Sequence, residues 1–571
     1  ALDRMRVVIV GGVAAGASCA TRCRRLSEKA KITMVERGEF VSFANCGLPY
    51  FVGDVIHDED ALLVAKPQLF REQFGVDVRT KTEALRVDAS AKQVIVKDAA
   101  GEESALEYDA LVLATGAKPI RPPLPGIDDF ANIFAVRDIP DARHIRTVLD
   151  AAKKRRGSDA VPRAVVVGAG FVGLEMIENL HGLGCEVALV EALPQVLGPL
   201  DREMSAPIKR LLSEKGIQLH LGEAVAGFEA GTEVGEVMVT TGAGSRIPAD
   251  LVILGIGVKP ELSLAKSAGC EVGERGGIKV DEHMRTSVPD VYAAGDGVET
   301  RHVVTGQQVL MPLAGPANRQ GRIAADCIFG AQPDVFRGVQ GTAVCGVMGT
   351  TAAMTGANAR LLEQAGIPFQ HVTVHPKNHA GYYPGAQEIH LKLLFAPDSG
   401  KVLGAQAVGA GEGVEKRIDV ISTAIQGGLT VFDLEESELC YSPQFGSAKD
   451  PVNFAGMTAA NVVHGLVTIT DWPDALKATA SGEAVLVDVR EPEEFAQGSA
   501  PGAINVPLSQ LRERIAELPK YKRIDIFCLT GIRAYISARA LTQSGFTNVA
   551  NVTGGWVSFL DFEESQAGVA T

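Results

Sequence analysis

RAVVVGAGFVGLEMIENLHGLGCEVALVE, residues 163 to 191, decides the fold. It opens on a β-branched run, turns on Gly168, Gly170 and Gly173, continues in an apolar helical pattern, and closes a second strand on Glu191. A glycine turn between strand and helix lets the first helical amides face phosphates, and an acid ending the next strand meets a ribose. The stretch therefore predicts a βαβ unit that binds a dinucleotide. RVVIVGGVAAGASCATRCRRL and KITMVER, within residues 6 to 37, repeat the pattern with Gly11 and Gly16, a valine at the middle glycine, and Glu36 as the terminal acid. Two such units in one chain imply two dinucleotides.

At 571 residues the chain exceeds a single core, and 46% hydrophobic with 22% charged residues describes a globular protein. A net charge of -14 argues against a nucleic-acid partner while leaving room for a local cationic pocket. No apolar run reaches the roughly 18 to 20 residues of a membrane helix, so no membrane span and a cytoplasmic setting are expected. Nine cysteines, an odd number without a CxxC pair, suit neither a disulfide framework nor a zinc site, and no metal is expected.

ALVLATGAKP (110 to 119), LVILGIGVKPE (251 to 261) and DVYAAGD (290 to 296) read as buried strands ending in glycine turns. In this order, with the two βαβ units, they resemble the flavin-dependent pyridine nucleotide-disulfide oxidoreductases over residues 5 to 455. The resemblance implies FAD at Gly11, Gly16, Glu36, Arg37, Thr115, Gly116, Asp296 and Ala314. It implies NADH at Gly168, Gly170, Gly173, Glu175, Glu191 and Gly257, with Glu191 repelling the 2'-phosphate of NADPH. EAVLVDVREPEEFAQGSAPGAINVPL (483 to 508), RIDIFCLTGIRAYISARAL (523 to 541) and VANVTGGW (549 to 556) resemble the rhodanese sulfurtransferases.

The fold class that follows is α/β: two Rossmann-like dinucleotide domains, an α+β dimer-interface domain and a C-terminal α/β rhodanese domain. The expected limits are 1–120 with 250–330 for FAD, 121–249 for NADH, 331–455 for the interface, 456–470 as a linker and 471–571 for rhodanese. An interface domain implies a homodimer.

SFANCGLPY, residues 42 to 50, contains a cysteine that cannot form a local CxxxxC disulfide, because the next cysteine is Cys185. Alone, Cys46 can cycle through a mixed disulfide or a sulfenic acid; its bland alternative is a packed structural thiol. At a helix start its thiol is expected to be depressed. The peroxidase and oxidase branch of the family carries a histidine in the first glycine turn, where this chain has Ala14, so the resemblance favours the coenzyme A-disulfide reductase branch. That branch implies coenzyme A contacts at Arg22, Arg25, Ser42 and Asn45, against the alternative of a solvated arginine face. It also implies proton-donating tyrosines that reach the cysteine of a partner subunit, Tyr441 and either Tyr382 or Tyr383, against plain interface packing. Cys19 and Cys23, four apart on one helix, read as packing residues.

CLTGIR, residues 528 to 533, places a second cysteine where an apolar strand enters a loop before a helix. Loop amides and the helix dipole are expected to depress Cys528 and cradle an anionic persulfide, with Arg533 closing the loop. Four residues between cysteine and arginine make a smaller cradle than the five of phosphatases. Leu529 and Ile532 make its rim apolar, which favours a thiol-bound sulfane sulfur over thiosulfate. Asp488 and Arg490 are expected to brace it; Ser499 stands where the resemblance often supplies histidine, and Ala534 where it often supplies serine.

The expected function is NADH- and FAD-dependent reduction of coenzyme A persulfide, polysulfide and coenzyme A disulfide, with the rhodanese domain carrying sulfur. The alternatives are coenzyme A-disulfide reduction as the main role, NADH oxidase or peroxidase activity, and a rhodanese module that only docks or delivers sulfur.

Overall fold

The computed structural model describes residues 4–157, 161–331 and 335–568. Two compact units form, one from the N-terminal stretch to Val190 with Val225–Val339, the other from Glu191–Ala224 with the chain from Gln340 onward.

In the first unit, the strands Val291–Ala293, Ala110–Leu113, Arg6–Val10, Lys31–Val35 and Asp77–Arg79 lie in that order as a parallel sheet. Continuous runs of valine, isoleucine and leucine suit such a sheet, because both of its faces are covered. Val7, Ile9, Ile32 and Met34 are fully buried, packed with Cys19 and Cys23, as expected for those two thiols. A second parallel set joins Arg163–Val167 to Glu186–Glu191 on one side and to Leu251–Leu254 on the other. Two antiparallel three-stranded layers, Glu83–Glu107 and Val225–Ala249, complete the unit. The returns ALVLATGAKP and LVILGIGVKPE do more than end in turns: Ala117–Pro119 pairs antiparallel with Val258–Pro260.

Some helices start with a side-chain cap, as Asp138 does for Ile139–Arg156 with a capping box. The helices Ala14–Leu26 and Phe171–Gly182, which follow the glycine turns, start without one. Their first amides remain available.

In the second unit, strands 343–347, 350–356, 402–409, 389–395 and 370–374 form an antiparallel sheet. A parallel sheet follows, ordered 468–470, 549–552, 523–527, 484–488, 504–505, with Trp472, Phe527, Val552 and Phe559 in its core. The helix Pro451–Val463, started by an Asp450–Asn453 capping box, covers the first part of the span expected to be a linker. A strong cap favours helix at this point, and composition alone did not weigh it. Among the described residues no helix is long and apolar enough to cross a membrane, and no group of histidine, cysteine and carboxylate side chains could hold a metal.

Candidate active sites

Gly11 has φ +103°, and a Cβ there would overlap the Ala114 carbonyl oxygen, so the first turn is closed to other residues. The turn opens a cavity of about 330 Å³ that gathers Glu36, Arg37, Asn45, Thr115, Gly116 and Asp296. Both Glu36 oxygens accept backbone amides, from Gly12 at 2.9 Å and Gly38 at 2.8 Å, which fixes the acid at the strand end. Burial pushes the Asp296 carboxyl up, against the pull of the Arg137 charge. Thr115 donates to the Glu261 carbonyl at 3.0 Å, and Gly257 accepts the Ile120 amide at 2.9 Å. An uncapped helix start, a glycine turn, an anchored acid and a cavity between them fit the nucleotide half of FAD. Ala314 begins the helix Ala314–Ile328. In the second glycine turn a Cβ on Gly170 would meet open space, which suits backbone approach by a pyrophosphate. Glu191 ends its strand and accepts the Leu193 amide at 2.8 Å.

Cys46 lies in a three-residue turn, Asn45–Gly47, ahead of the five-residue helix Leu48–Val52. The expected depression of its thiol is not found. The thiol is pushed up, first by desolvation and then by the negative charges of Glu175 and Asp296. Its surface is exposed, but protein is dense around the sulfur and the helix is too short to carry a large dipole. Glu175 is itself pushed up to about 7 by desolvation, against a hydrogen bond with Tyr50. As pH rises through this range Glu175 acquires the charge that opposes the Cys46 thiolate. Glu175→Gln is therefore expected to speed iodoacetamide labelling of Cys46 at pH 8 by roughly 2- to 10-fold and move its onset to lower pH. Peptide mass spectrometry across pH reads both, and superimposable profiles would remove Glu175 from the cysteine's environment.

The arginines of the first helix divide. Arg22 donates to buried Asp326 at 2.5 Å, and Arg24 is bonded to the Phe74, Gly75, Ser27 and Glu28 carbonyls. Arg22 is thus held from within rather than freely presented, while Arg25 is exposed. Asp326, 304 residues away in sequence, was invisible to the local pattern. Asn318, which sequence reading missed, lies about two turns before it on the helix Ala314–Ile328 and accepts a hydrogen bond from Ser18 at 2.5 Å. Ser42 sits at φ +46°, unusual for serine, with its amide bonded to the Gly12 carbonyl at 2.8 Å.

In the second unit the Tyr382 and Tyr441 hydroxyls meet at 2.8 Å, whereas Tyr383 packs edge-on against His379. Both segments are fixed by Arg417, fully buried, which pairs with Asp450 at 3.1 Å and donates to the Asn378 carbonyl at 2.7 Å and the Phe445 carbonyl at 3.5 Å. A buried helical arginine has no signature in sequence.

Cys528 is buried, and the Gly531 amide donates to its Sγ at 3.1 Å. Arg533 does not stand free over the loop: it forms a two-pronged ion pair with Glu494, at 2.6 and 2.8 Å, which holds the Glu494 carboxyl down at about 2. Asp488 and Arg490 are buried and paired at 2.7 Å, and Ser499, at the place where the resemblance often supplies histidine, donates to Asp488 at 2.7 Å. Leu529 and Ile532 are exposed at the loop.

The family model for the pyridine nucleotide-disulphide oxidoreductases matches residues 5–321, and that for their dimerisation domain matches residues 342–450. The chain belongs to this family. A rhodanese-like domain model matches residues 472–561. Among curated relatives, the NADH oxidase of Methanocaldococcus jannaschii is 34% identical over 80% of this chain and 98% of its own length. The coenzyme A disulfide reductase of Staphylococcus haemolyticus is 32% identical over 80% of this chain and 100% of its own. Two solved structures extend through the rhodanese domain. Reduced CoADR-RHD of Bacillus anthracis is 43% identical with a TM-score of 0.94, covering 98% of both chains. The NAD-dependent persulfide reductase from A. fulgidus is 38% identical with a TM-score of 0.87, covering 97% of this chain and 100% of its own. This oxidoreductase family uses FAD and NAD(P)H.

Proposed function

We propose that this oxidoreductase reduces coenzyme A persulfide and polysulfide, with coenzyme A disulfide as a second substrate, through Cys46 as its single redox cysteine. The observation that carries the reading is one chain with two differently built thiols. Cys46 is exposed and adjoins Asn45, which lines the cavity at the first glycine turn, and Cys528 is buried with the Gly531 amide on its sulfur.

Gly11, Gly16, Glu36, Arg37, Thr115, Gly116, Asp296 and Ala314 would hold FAD; Gly168, Gly170, Gly173, Glu175, Gly257 and Glu191 would hold NADH. When bound, FAD supplies a two-electron carrier between NADH and sulfur. The Cys46 thiolate attacks the inner sulfur of CoA–S–SH, the S–S bond breaks, hydrosulfide leaves, and a Cys46–S–S–CoA mixed disulfide remains. Return of one electron pair gives back the two thiolates, so NADH and CoA–SSH become NAD⁺, CoASH and HS⁻ with atoms and charge balanced. Arg25, Ser42 and Asn45, with Arg22 held by Asp326, would bind coenzyme A, and Ser18 and Asn318 extend that surface. Tyr441, bonded to Tyr382, would donate the proton that a leaving thiolate needs; Tyr383 is the less suited of the pair. Cys528 would take the outer sulfur of a thiol persulfide, releasing the thiol and carrying –S–SH in its loop. A homodimer in the cytoplasm, with the domain limits given by the sequence, completes the reading; nine free thiols suit a reducing compartment.

Anaerobic NADH oxidation with coenzyme A persulfide and coenzyme A disulfide side by side tests it. Faster turnover of the persulfide is expected. An equal or faster disulfide rate would make disulfide reduction the main role, and rapid NADH loss with peroxide would favour the oxidase and peroxidase reading that Ala14 opposes.

A further inference from the structure

CLTGIR does not shape its own anion cradle. Three of the loop's carbonyls are bonded to groups outside it. Cys528 O accepts the Trp556 amide at 2.7 Å, Leu529 O accepts the Val557 amide at 3.1 Å, and Gly531 O, which also takes the Tyr535 amide at 2.9 Å, accepts Asn551 Nδ2 at 3.2 Å. The N–H and C=O of a trans peptide point in opposite directions. Fixing these carbonyls therefore turns the amides of Leu529, Thr530 and Ile532 the other way, and the intervening Gly531 amide is the one that donates to Sγ, at 3.1 Å.

The two backbone donors belong to the first turn of the helix Gly555–Gln566, whose opening amides have no intrahelical partner. They reach the loop because Gly554 and Gly555 are both left-handed, at φ +73° and +59°. A Cβ on Gly555 would overlap the Cys528 carbonyl oxygen. Trp472 Nε1 locks the turn by donating to Gly555 O at 2.9 Å. Asn551 is buried, and its Oδ1 has no hydrogen-bond partner, an unfavourable arrangement retained while Nδ2 holds the loop.

We propose that Asn551 and Gly555, both outside the loop motif, are positioning residues that set the amide cradle of Cys528. The proposal rests on Cys528 being the sulfur-carrying thiol, and deepens that reading by naming what orients its anion site. The far end of the same helix is clamped within this unit: Arg202 donates to the Ser565 carbonyl at 3.0 Å and Lys209 to the Glu564 carbonyl at 2.6 Å. The positioning helix is thus held at both ends.

The test uses the full-length enzyme with Asn551→Leu, which keeps the branched shape and removes the donor, and Gly555→Ala. Iodoacetamide labelling of the Cys528 peptide is followed against pH by mass spectrometry, and sulfur loading from coenzyme A persulfide by the mass gain on the same peptide. Both variants are expected to move the labelling profile up by roughly one pH unit and slow loading about tenfold, with NADH-dependent coenzyme A disulfide turnover within about twofold of wild type. Asn551→Leu tests the idea even if Gly555→Ala fails to fold. A labelling profile for folded Asn551→Leu that coincides with wild type overturns the proposal. A wild-type Cys528 that takes no sulfur overturns the carrier reading instead, and the labelling profile still decides the cradle.

Discussion

Cys46→Ser is expected to lower NADH-dependent turnover of both coenzyme A persulfide and coenzyme A disulfide by about a thousandfold or more. A serine hydroxyl has almost no alkoxide at neutral pH and cannot form the mixed disulfide, so the variant loses the chemical step rather than its efficiency. Of the other cysteines in the same unit, Cys19, Cys23, Cys185 and Cys270 are buried and Cys327 is half-buried, and Cys19 is pushed well up by its partner Cys23 and by burial. The glycine turn and Glu36, which would hold the flavin, do not depend on the thiol. Anaerobic bleaching of the yellow protein by NADH should therefore survive while steady-state turnover disappears. Cys528→Ser gives the complementary result: coenzyme A disulfide turnover persists, and persulfide turnover falls only if sulfur must pass through the rhodanese loop. Substantial persulfide reduction by Cys46→Ser would relocate the redox chemistry away from this residue.

What could be read in advance was local. The strand, glycine turn, helix and terminal acid of each βαβ unit lie within a few turns of one another, and Gly11, Glu36, Thr115 and Asp296 do meet at one cavity. Long-range pairs were the part that sequence could not supply. Arg22 looks like one of three equivalent cations until Asp326 binds it, and Arg533 looks like a free guanidinium until Glu494 pairs with it. The Cys46 thiol shows a second limit. A cysteine before a helix suggests a lowered pKa, yet desolvation and two nearby carboxylates outweigh a helix of five residues. Arg417 and Asn551 act by burial and by hydrogen bonds to carbonyls, and neither property follows from residue type.

Gly11→Ala tests the other half of the mechanism and should yield a nearly colourless protein. Two effects act together. At φ +103° an alanine is strained whatever space surrounds it, and its Cβ would overlap the Ala114 carbonyl oxygen at the point where the first strand hands over to the helix Ala14–Leu26. The turn can relieve this only by moving, and moving it displaces the Gly12 amide from Glu36 and the Gly11 carbonyl from its close approach to Gly16. Flavin content, read as the visible absorbance per protein after gel filtration, is expected to fall at least about tenfold, because a pyrophosphate needs that backbone close and correctly turned. NADH-dependent turnover falls with it. Cys528 lies in a unit with its own sheet and core, so sulfur loading of its peptide should continue in the flavin-poor protein. A yellow, fully active Gly11→Ala would mean that the first glycine turn does not contact the flavin and that the cavity beside it serves another ligand.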